Sequence, residues 1–280
     1  ECYNGIDVNA ATNTRLESKI EIRKPYGTFG VRMYGSSLAN RCDKLRIVNL
    51  IADAPYDYAV YANSGGGSVA SWKGAMGRST AYIQGDVATS GGNIYQCTTA
   101  GTTASGSAPT GQGTAGSRYI TDGTVTWLFV CWTWLSWILQ DSYGYSLDVT
   151  DCALINGAFG FRATDTINNG SSYPTWHYFT NCDFDHPAVT GCMLSAGEDF
   201  NASQIWVSSS LAGNGVNFTS AYRGEGGITK SNIRGNAHAG VLHDGGRGMV
   251  FAGNDYVDNG QATDNTYSNH IVGAGVSGFQ

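Results

Sequence analysis

Proline, charge, basic clusters and long apolar runs are all scarce in this chain, and each scarcity excludes something. Only 5 of 280 residues are Pro and 14% are charged, which suits a turn-rich all-β chain with few long surface helices. No apolar stretch reaches the 18 residues of a membrane span. The nearest approach, 127–139, is interrupted by Thr133 and Ser136. A net charge of −6 lacks the basic stripe that nucleic acid requires, so no nucleic-acid partner is expected. The seven cysteines form no C-x-x-C pair, so zinc is not expected; no cofactor and no other bound metal is expected either. The chain begins with Glu1 and shows no basic-then-apolar leader, which predicts a fragment or processed piece of something longer.

Glycine, by contrast, is abundant at 39 residues, and the second half repeats. Val149–Leu154, Phe179–Phe184, Trp206–Leu211, Ile228–Ile233 and Phe251–Tyr256 each read large apolar, two residues, small polar or thiol, one residue, large apolar. The small positions are Cys152, Cys182, Ser209, Ser231 and Asn254, separated by 30, 27, 22 and 23 residues. A period of that length in a Gly- and Asn-rich chain marks a solenoid, whose coils bury their apolar faces only by stacking. Short alternating runs follow each motif at Ala158–Ala163, Thr190–Ala196, Gly215–Ala221 and Ala239–Asp244, and alternation at period 2 predicts strands. Ile47–Ala52 fits the first strand of the repeat; Gly30–Gly35 and Ala59–Asn63 fit the second. The expected fold is a parallel β-helix with two or three strands per coil. Cys152 and Cys182, on successive coils, are expected to form a stacked, reduced core ladder. The sequons at Asn169, Asn201 and Asn217 are read as chance.

Between about Ser79 and Val130 the repeat stops, dividing the chain into coils over 1–78, an inserted β-module over 79–130 and coils over 131–280. Strand-like segments there are punctuated by Gly-Asp, Gly-Gly and Asp-Gly turns, with a Gly/Ser/Thr loop at Gly101–Ser117. In order come Tyr82, Gly85-Asp86-Val87, Tyr95-Gln96-Cys97, Gly101-Thr102, Pro109 and Trp127. This pattern resembles small chitin- and cellulose-type carbohydrate-binding domains over roughly 50 residues. Such domains stack sugars on flat aromatic faces, so Tyr82 and Trp127 are candidate sugar contacts or else the core of a small module.

The Asn/Cys coils, as in Thr180-Asn181-Cys182-Asp183-Phe184-Asp185, together with the inserted module, make the chain similar to bacteriophage tailspikes and to the wider pectate-lyase-like superfamily. That resemblance covers most of the chain. It implies a right-handed parallel β-helix, a homotrimer on a phage tail, and binding and cleavage of bacterial surface polysaccharide. It further implies synthesis in the host cytoplasm and action at the host surface.

Candidate chemistry gathers at one corner. Asp165, Glu198, Asp199, Glu225 and Asp244 each follow a second strand. If the corners stay in register, carboxylates one or two coils apart lie roughly 5 or 10 Å apart, near the separations used by glycosidases. The same residues are also ordinary turn chemistry, except that Glu is not. Arg162 and Arg223 stand beside them as binders of an anionic sugar or as neutralisers. Trp132, Trp134 and Trp137 with Tyr143 and Tyr145 form an aromatic run, and Asp141 between them is a further carboxylate. They are a packed junction between module and coils, a buried trimer contact, or a stacking platform. Trp176 and His177, closing the loop from Thr164, offer a second wall. His186 and His243 are read as hydrogen-bonding residues. Asp183 and Asp185 share a strand face and supply two of the oxygens that Ca²⁺ would need. Three activities remain open: endo-glycoside hydrolase, polysaccharide lyase, and glycan-binding adhesin.

Overall fold

The computed structural model describes residues 5–23, 26–55, 71–113, 117–170, 172–260, 269–273 and 276. Ala59–Asn63 lies outside them. The described residues are all-β and contain no helix. Most strands fall into three long parallel sheets that the chain visits in turn, giving a solenoid-like arrangement with three strands per coil.

The first sheet stacks Ile6–Asn9, Phe29–Tyr34, Ser136–Gln140, Phe159–Ala163, Thr190–Leu194, Val216–Phe218, Val241–His243 and His270–Val272. In the second come Thr12–Leu16, Cys42–Val48, Gly144–Thr150, Thr175–Thr180, Glu198–Ser203, Gly226–Thr229 and Met249–Ala252. Ile20–Arg23, Leu50–Asp53, Ala153–Ile155, Asp183–Asp185, Trp206–Ser208, Asn232–Arg234 and Asp255–Val257 form the third.

The repeat motif turns out to straddle the corner between second and third sheets. Val149 and Phe179 pair at the end of the second sheet, and Leu154 and Phe184 pair in the third. One repeat is out of register. Phe179 pairs with Ala202 and Phe184 with Val207, so the motif on that coil is Ala202–Val207, with Ile205 in the place of Cys182. Ser209 sits at the far end of the third sheet instead, where its amide reaches the Arg234 carbonyl at 3.1 Å, as His186 reaches Ser208 one coil earlier. The error has a simple cause: Trp206 is large and aromatic yet points outward.

Inward residues of the three sheets make one continuous core. Phe161, Phe179, Phe184, Phe200 and Phe218 are all fully buried, and their rings meet at centroid distances from 4.7 to 6.3 Å. Burial of each such side chain stabilises the fold by roughly 1.5–3 kcal/mol. Glycines let the third sheet come close to the first. A Cβ on Gly191 would lie 2.5 Å from Val207 Cγ1 and 2.7 Å from the Gly215 carbonyl oxygen. Cys152 and Cys182 are buried and free, as are Cys42, Cys97, Cys131 and Cys192.

Buried amides tie the last coils together. The Ser210 amide donates to Asn236 Oδ1 at 3.1 Å, and Asn236 Nδ2 donates to Asn259 Oδ1 at 2.8 Å. Asn259 Nδ2 in turn reaches the Ile233 carbonyl at 2.9 Å. Asn236→Ala strands the buried Ser210 N–H and is expected to cost about 1–3 kcal/mol. The urea unfolding midpoint measures this; an unchanged midpoint would show that the ladder contributes nothing.

The inserted strands form an antiparallel sheet, ordered Tyr119–Asp122, Val125–Trp132, Asn93–Thr99 and Val87–Ser90, with Trp72–Ala75 added in parallel at the edge. It therefore extends on both sides of 79–130. Gly101–Thr102, within the expected loop, pairs with Ala81–Tyr82. Tyr82, Tyr95, Trp127 and Phe129 make a local core, while Val87, Ile94, Val130 and Cys131 join the core of the coils.

Candidate functional site

The acidic corner joins the first sheet to the second, and its loops differ in length from coil to coil. Three residues separate Gln140 from Gly144, eleven separate Ala163 from Thr175, then three, seven and five on the following coils. Unequal loops destroy register. Asp165 and Asp244 follow the first sheet, while Glu198 and Asp199 already belong to the second and Glu225 leads into it. Gly224, not Glu225, lies against Glu198, since a Cβ there would fall 2.3 Å from the Glu198 Cα. Glu225 is exposed, 3.6 Å from the equally exposed Arg247.

Asp165 is a loop tether. Its Oδ1 accepts from Ser142 Oγ at 2.7 Å, the Asn168 amide at 3.0 Å and Ser172 Oγ. Burial pushes its carboxyl up, but these donors outweigh burial and hold it below its ordinary value. A general acid needs the opposite shift. Asp141 is likewise occupied, by the Ser142 and Thr166 amides and the hydroxyls of Thr164 and Thr166.

Several expected sugar contacts are interior. Tyr82 and Trp127 pack edge to face at 4.9 Å inside the inserted sheet, so neither face is open to a pyranose. Trp132 is half-buried against the same cluster. His177 is fully buried between Phe161 and Phe200, and its Nδ1 lies 2.6 Å from Gln140 Oε1. Trp137 and His243 are also fully buried. Others are exposed: Trp176 beside Tyr145 at 6.3 Å, Trp134 at the junction, and Arg223 over the Tyr173 ring at 4.9 Å.

The second corner behaves differently. Turns of two residues link the sheets at Thr150–Ala153, Thr180–Asp183, Ser203–Trp206, Thr229–Asn232 and Ala252–Asp255. Asp151, Asn181, Gln204, Lys230 and Gly253 all take left-handed φ values of 51–65° there. Each of the first four donates its amide to the next coil, as Asp151 does to the Thr180 carbonyl at 3.1 Å. Constant turns keep side chains in register, and here a groove forms. One hollow of about 500 Å³ is lined by Lys19, Asn49, Asp151, Asn181 and Asp183 among others. A second, of about 430 Å³, continues past Asn181 and Asp183 to Gln204, Trp206, Lys230 and Asp255.

Asp183 and Trp206, at the start of their strands in the third sheet, line this groove, and Asp185 and Ser208 stand two residues further along the same strands. Asp183 stands opposite Trp206, and Asp185 opposite Ser208. Trp206 is 37% exposed, a flat ring at the groove wall, with the Arg234 guanidinium 5.6 Å from its centroid. Its Nε1 donates to Ser208 Oγ at 2.8 Å; Ser208 Oγ donates to Asp185 Oδ1, and His186 Nδ1 lies 2.9 Å from Asp185 Oδ2. The two carboxyls are thereby driven apart. Asp183 is exposed on its strand, and partial loss of solvent, then the negative charge of Asp185, raise its carboxyl. Burial also acts to raise Asp185, but hydrogen bonds from His186 and Ser208 and the His186 charge outweigh it, leaving Asp185 lowered. Paired carboxyls split in this way divide into an acid and a base.

Among the described residues no group of three or more His, Cys, Asp or Glu is placed to hold a metal ion, so Asp183 and Asp185 have no further ligand of that kind. The signal for this site was present in the sequence: a Thr or Ser, a polar residue, then a buried residue, repeated at the first four of these five turns, while the fifth reads Ala252-Gly253-Asn254. No family model matches the chain, and no curated protein or solved structure matches it.

Proposed function

We propose that this chain is a right-handed parallel β-helix of the phage tailspike kind that binds bacterial surface polysaccharide and cleaves it by endo-glycoside hydrolysis. On this reading it works as a homotrimer on the virion tail. The observation that carries the proposal is the axial groove lined by a raised Asp183 and an exposed Trp206, with a lowered Asp185 two residues beyond Asp183 on the same strand. A glycan lying along the groove stacks a pyranose on Trp206, whose apolar face matches the C–H face of the ring. Asp183, the raised carboxyl of the two, gives a proton to the glycosidic oxygen. Asp185 stays ionised and takes a proton from the attacking water. Two strand steps separate the pair, about 6.6 Å between Cα atoms, and the anomeric configuration of the product tells an inverting from a retaining arrangement.

The test is incubation with capsular, O-antigen and exopolysaccharide preparations, following product size and ultraviolet absorbance. Discrete oligosaccharides without new absorbance are the expected result. Products absorbing as unsaturated sugars would replace hydrolysis with elimination. Retention of the protein on a glycan with no shortening would leave an adhesin.

A further inference from the structure

A second site lies on a different face, where the inserted sheet rejoins the coils. Trp134 occupies the turn between Val125–Trp132 and Ser136–Gln140, where the Leu135 amide donates to the Trp132 carbonyl at 3.0 Å. That turn pushes the indole outward, and it is 59% exposed. One side of the ring is occupied by Phe159, stacked at 6.5 Å and 22°. The guanidinium of Arg162 sits 5.3 Å from the Trp134 ring and 5.4 Å from the Phe159 ring.

Arg162 is in an unusual position for a cation. It points out of the first sheet between Leu139 and Met193, its register neighbours. Its Nε is buried and finds no acceptor among the described residues. No carboxylate of the described residues lies within ion-pair distance of it. The carboxylate that acts on it, Asp141, is already saturated by Ser142, Thr164 and Thr166. Removing a charge from water without pairing it costs free energy. The cation–π contacts offset only part of that, at roughly 0.5–2 kcal/mol. Burial accordingly lowers the Arg162 pKa. An anion arriving at this guanidinium recovers the missing pairing, and the open indole beside it offers a face for an attached ring.

We propose that Trp134 and Arg162 form an accessory subsite for an anionic sugar, in which the pyranose stacks on the indole and its carboxylate pairs with the guanidinium. Arg presents a planar fork that suits a carboxylate. The sugar ring is what distinguishes this ligand from a bare anion, because Trp134 contributes only to a ligand with an apolar face. That the ligand is a sugar rests on the glycan reading above. The test reads binding rather than cleavage, so the two readings fail separately.

The experiment is a saturation-transfer NMR and fluorescence titration of the intact chain with methyl glucuronide, methyl glucoside and inorganic phosphate. The glucuronide is expected to bind about tenfold more tightly than the glucoside, the ratio that one charge-assisted pair contributes. Trp134→Ala, at an exposed position that the core does not need, is expected to remove this preference, leaving both sugars with only the weak stacking that the Trp206 groove gives a pyranose. Arg162→Gln is expected to bring the glucuronide down to the level of the glucoside. Equal binding of both sugars would overturn the assignment, as would glucuronide binding unchanged in Trp134→Ala. Phosphate binding as tight as that of the glucuronide would also overturn it, because the site would then read charge alone.

Discussion

Asp183→Asn is expected to abolish shortening of the polysaccharide while leaving its binding intact. The raised carboxyl is the proton donor of the proposed reaction, and Asn fills the same space without a transferable proton. Loss of a positioned general acid typically costs 10²–10⁴ in rate, so a fall of about that size is expected. Asp185→Asn is expected to fall comparably but with a different pH signature. The wild-type rate depends on Asp183 being protonated and Asp185 ionised. Activity is therefore confined between the depressed pKa of Asp185 and the elevated one of Asp183, with loss on the alkaline side as Asp183 gives up its proton. Ser208→Ala and His186→Gln remove the partners that hold Asp185 down, and the acidic limb is expected to move to higher pH. A Ser208→Ala profile that overlays the wild type would remove Asp185 from the mechanism. Full activity in Asp183→Asn would move the chemistry elsewhere in the groove.

The second large effect is on stability in acid. His177 is fully buried, and burial lowers its pKa from 6.5 to about 3. Gln140 fixes the neutral form: its Nε2 donates to the Gly144 and Thr175 carbonyls at 2.9 and 3.0 Å, leaving Oε1 to accept from His177 Nδ1. The folded-state pKa is depressed, so between pH 6.5 and about 3 the unfolded chain binds the proton and the folded chain does not. The His177 contribution is constant above neutrality and is lost as pH drops through that window. At roughly 1.4 kcal/mol per pKa unit, the loss attributable to His177 is on the order of 4–5 kcal/mol by the lower end. His270, lowered to about 4 by burial and then by the charge of His243, acts in the same direction. Thermal unfolding at a series of pH values checks this. A His177→Gln variant starts from a lower midpoint because it loses ring contacts, yet its midpoint is expected to depend less steeply on pH between 6.5 and 4. Parallel slopes for variant and wild type would assign the acid lability to other groups.

The repeat was legible because inward positions must be apolar or small wherever coils stack. Val149 and Leu154, Phe179 and Phe184, and Ile228 and Ile233 met that requirement and all face the core. Trp206 broke the rule by being aromatic and outward, which displaced that repeat by four residues and hid Ile205. His177 was readable in principle. It stands two residues before the inward Phe179 on an alternating strand, so period 2 alone turns it inward and Trp176 outward. Reading the segment up to Trp176 as one loop concealed that alternation, since the strand already begins at Thr175.

Composition and apolar spacing by themselves determined that this chain is all-β, stacks its strands in coils and buries small residues at the corner before the third sheet. These are local demands, because a strand that alternates and a turn that needs a polar residue each show in a few consecutive positions. Which corner aligns its side chains was decided only by the tertiary structure. That depends on whether successive turns have equal lengths: three to eleven residues at the acidic corner scatter Asp165, Glu198 and Glu225, and two at the opposite corner bring Asp183, Trp206 and Asp255 into one groove. The divergence of Asp183 and Asp185 arises there too, because Ser208, which helps to hold Asp185 ionised, comes from the next coil, 23 residues away in sequence.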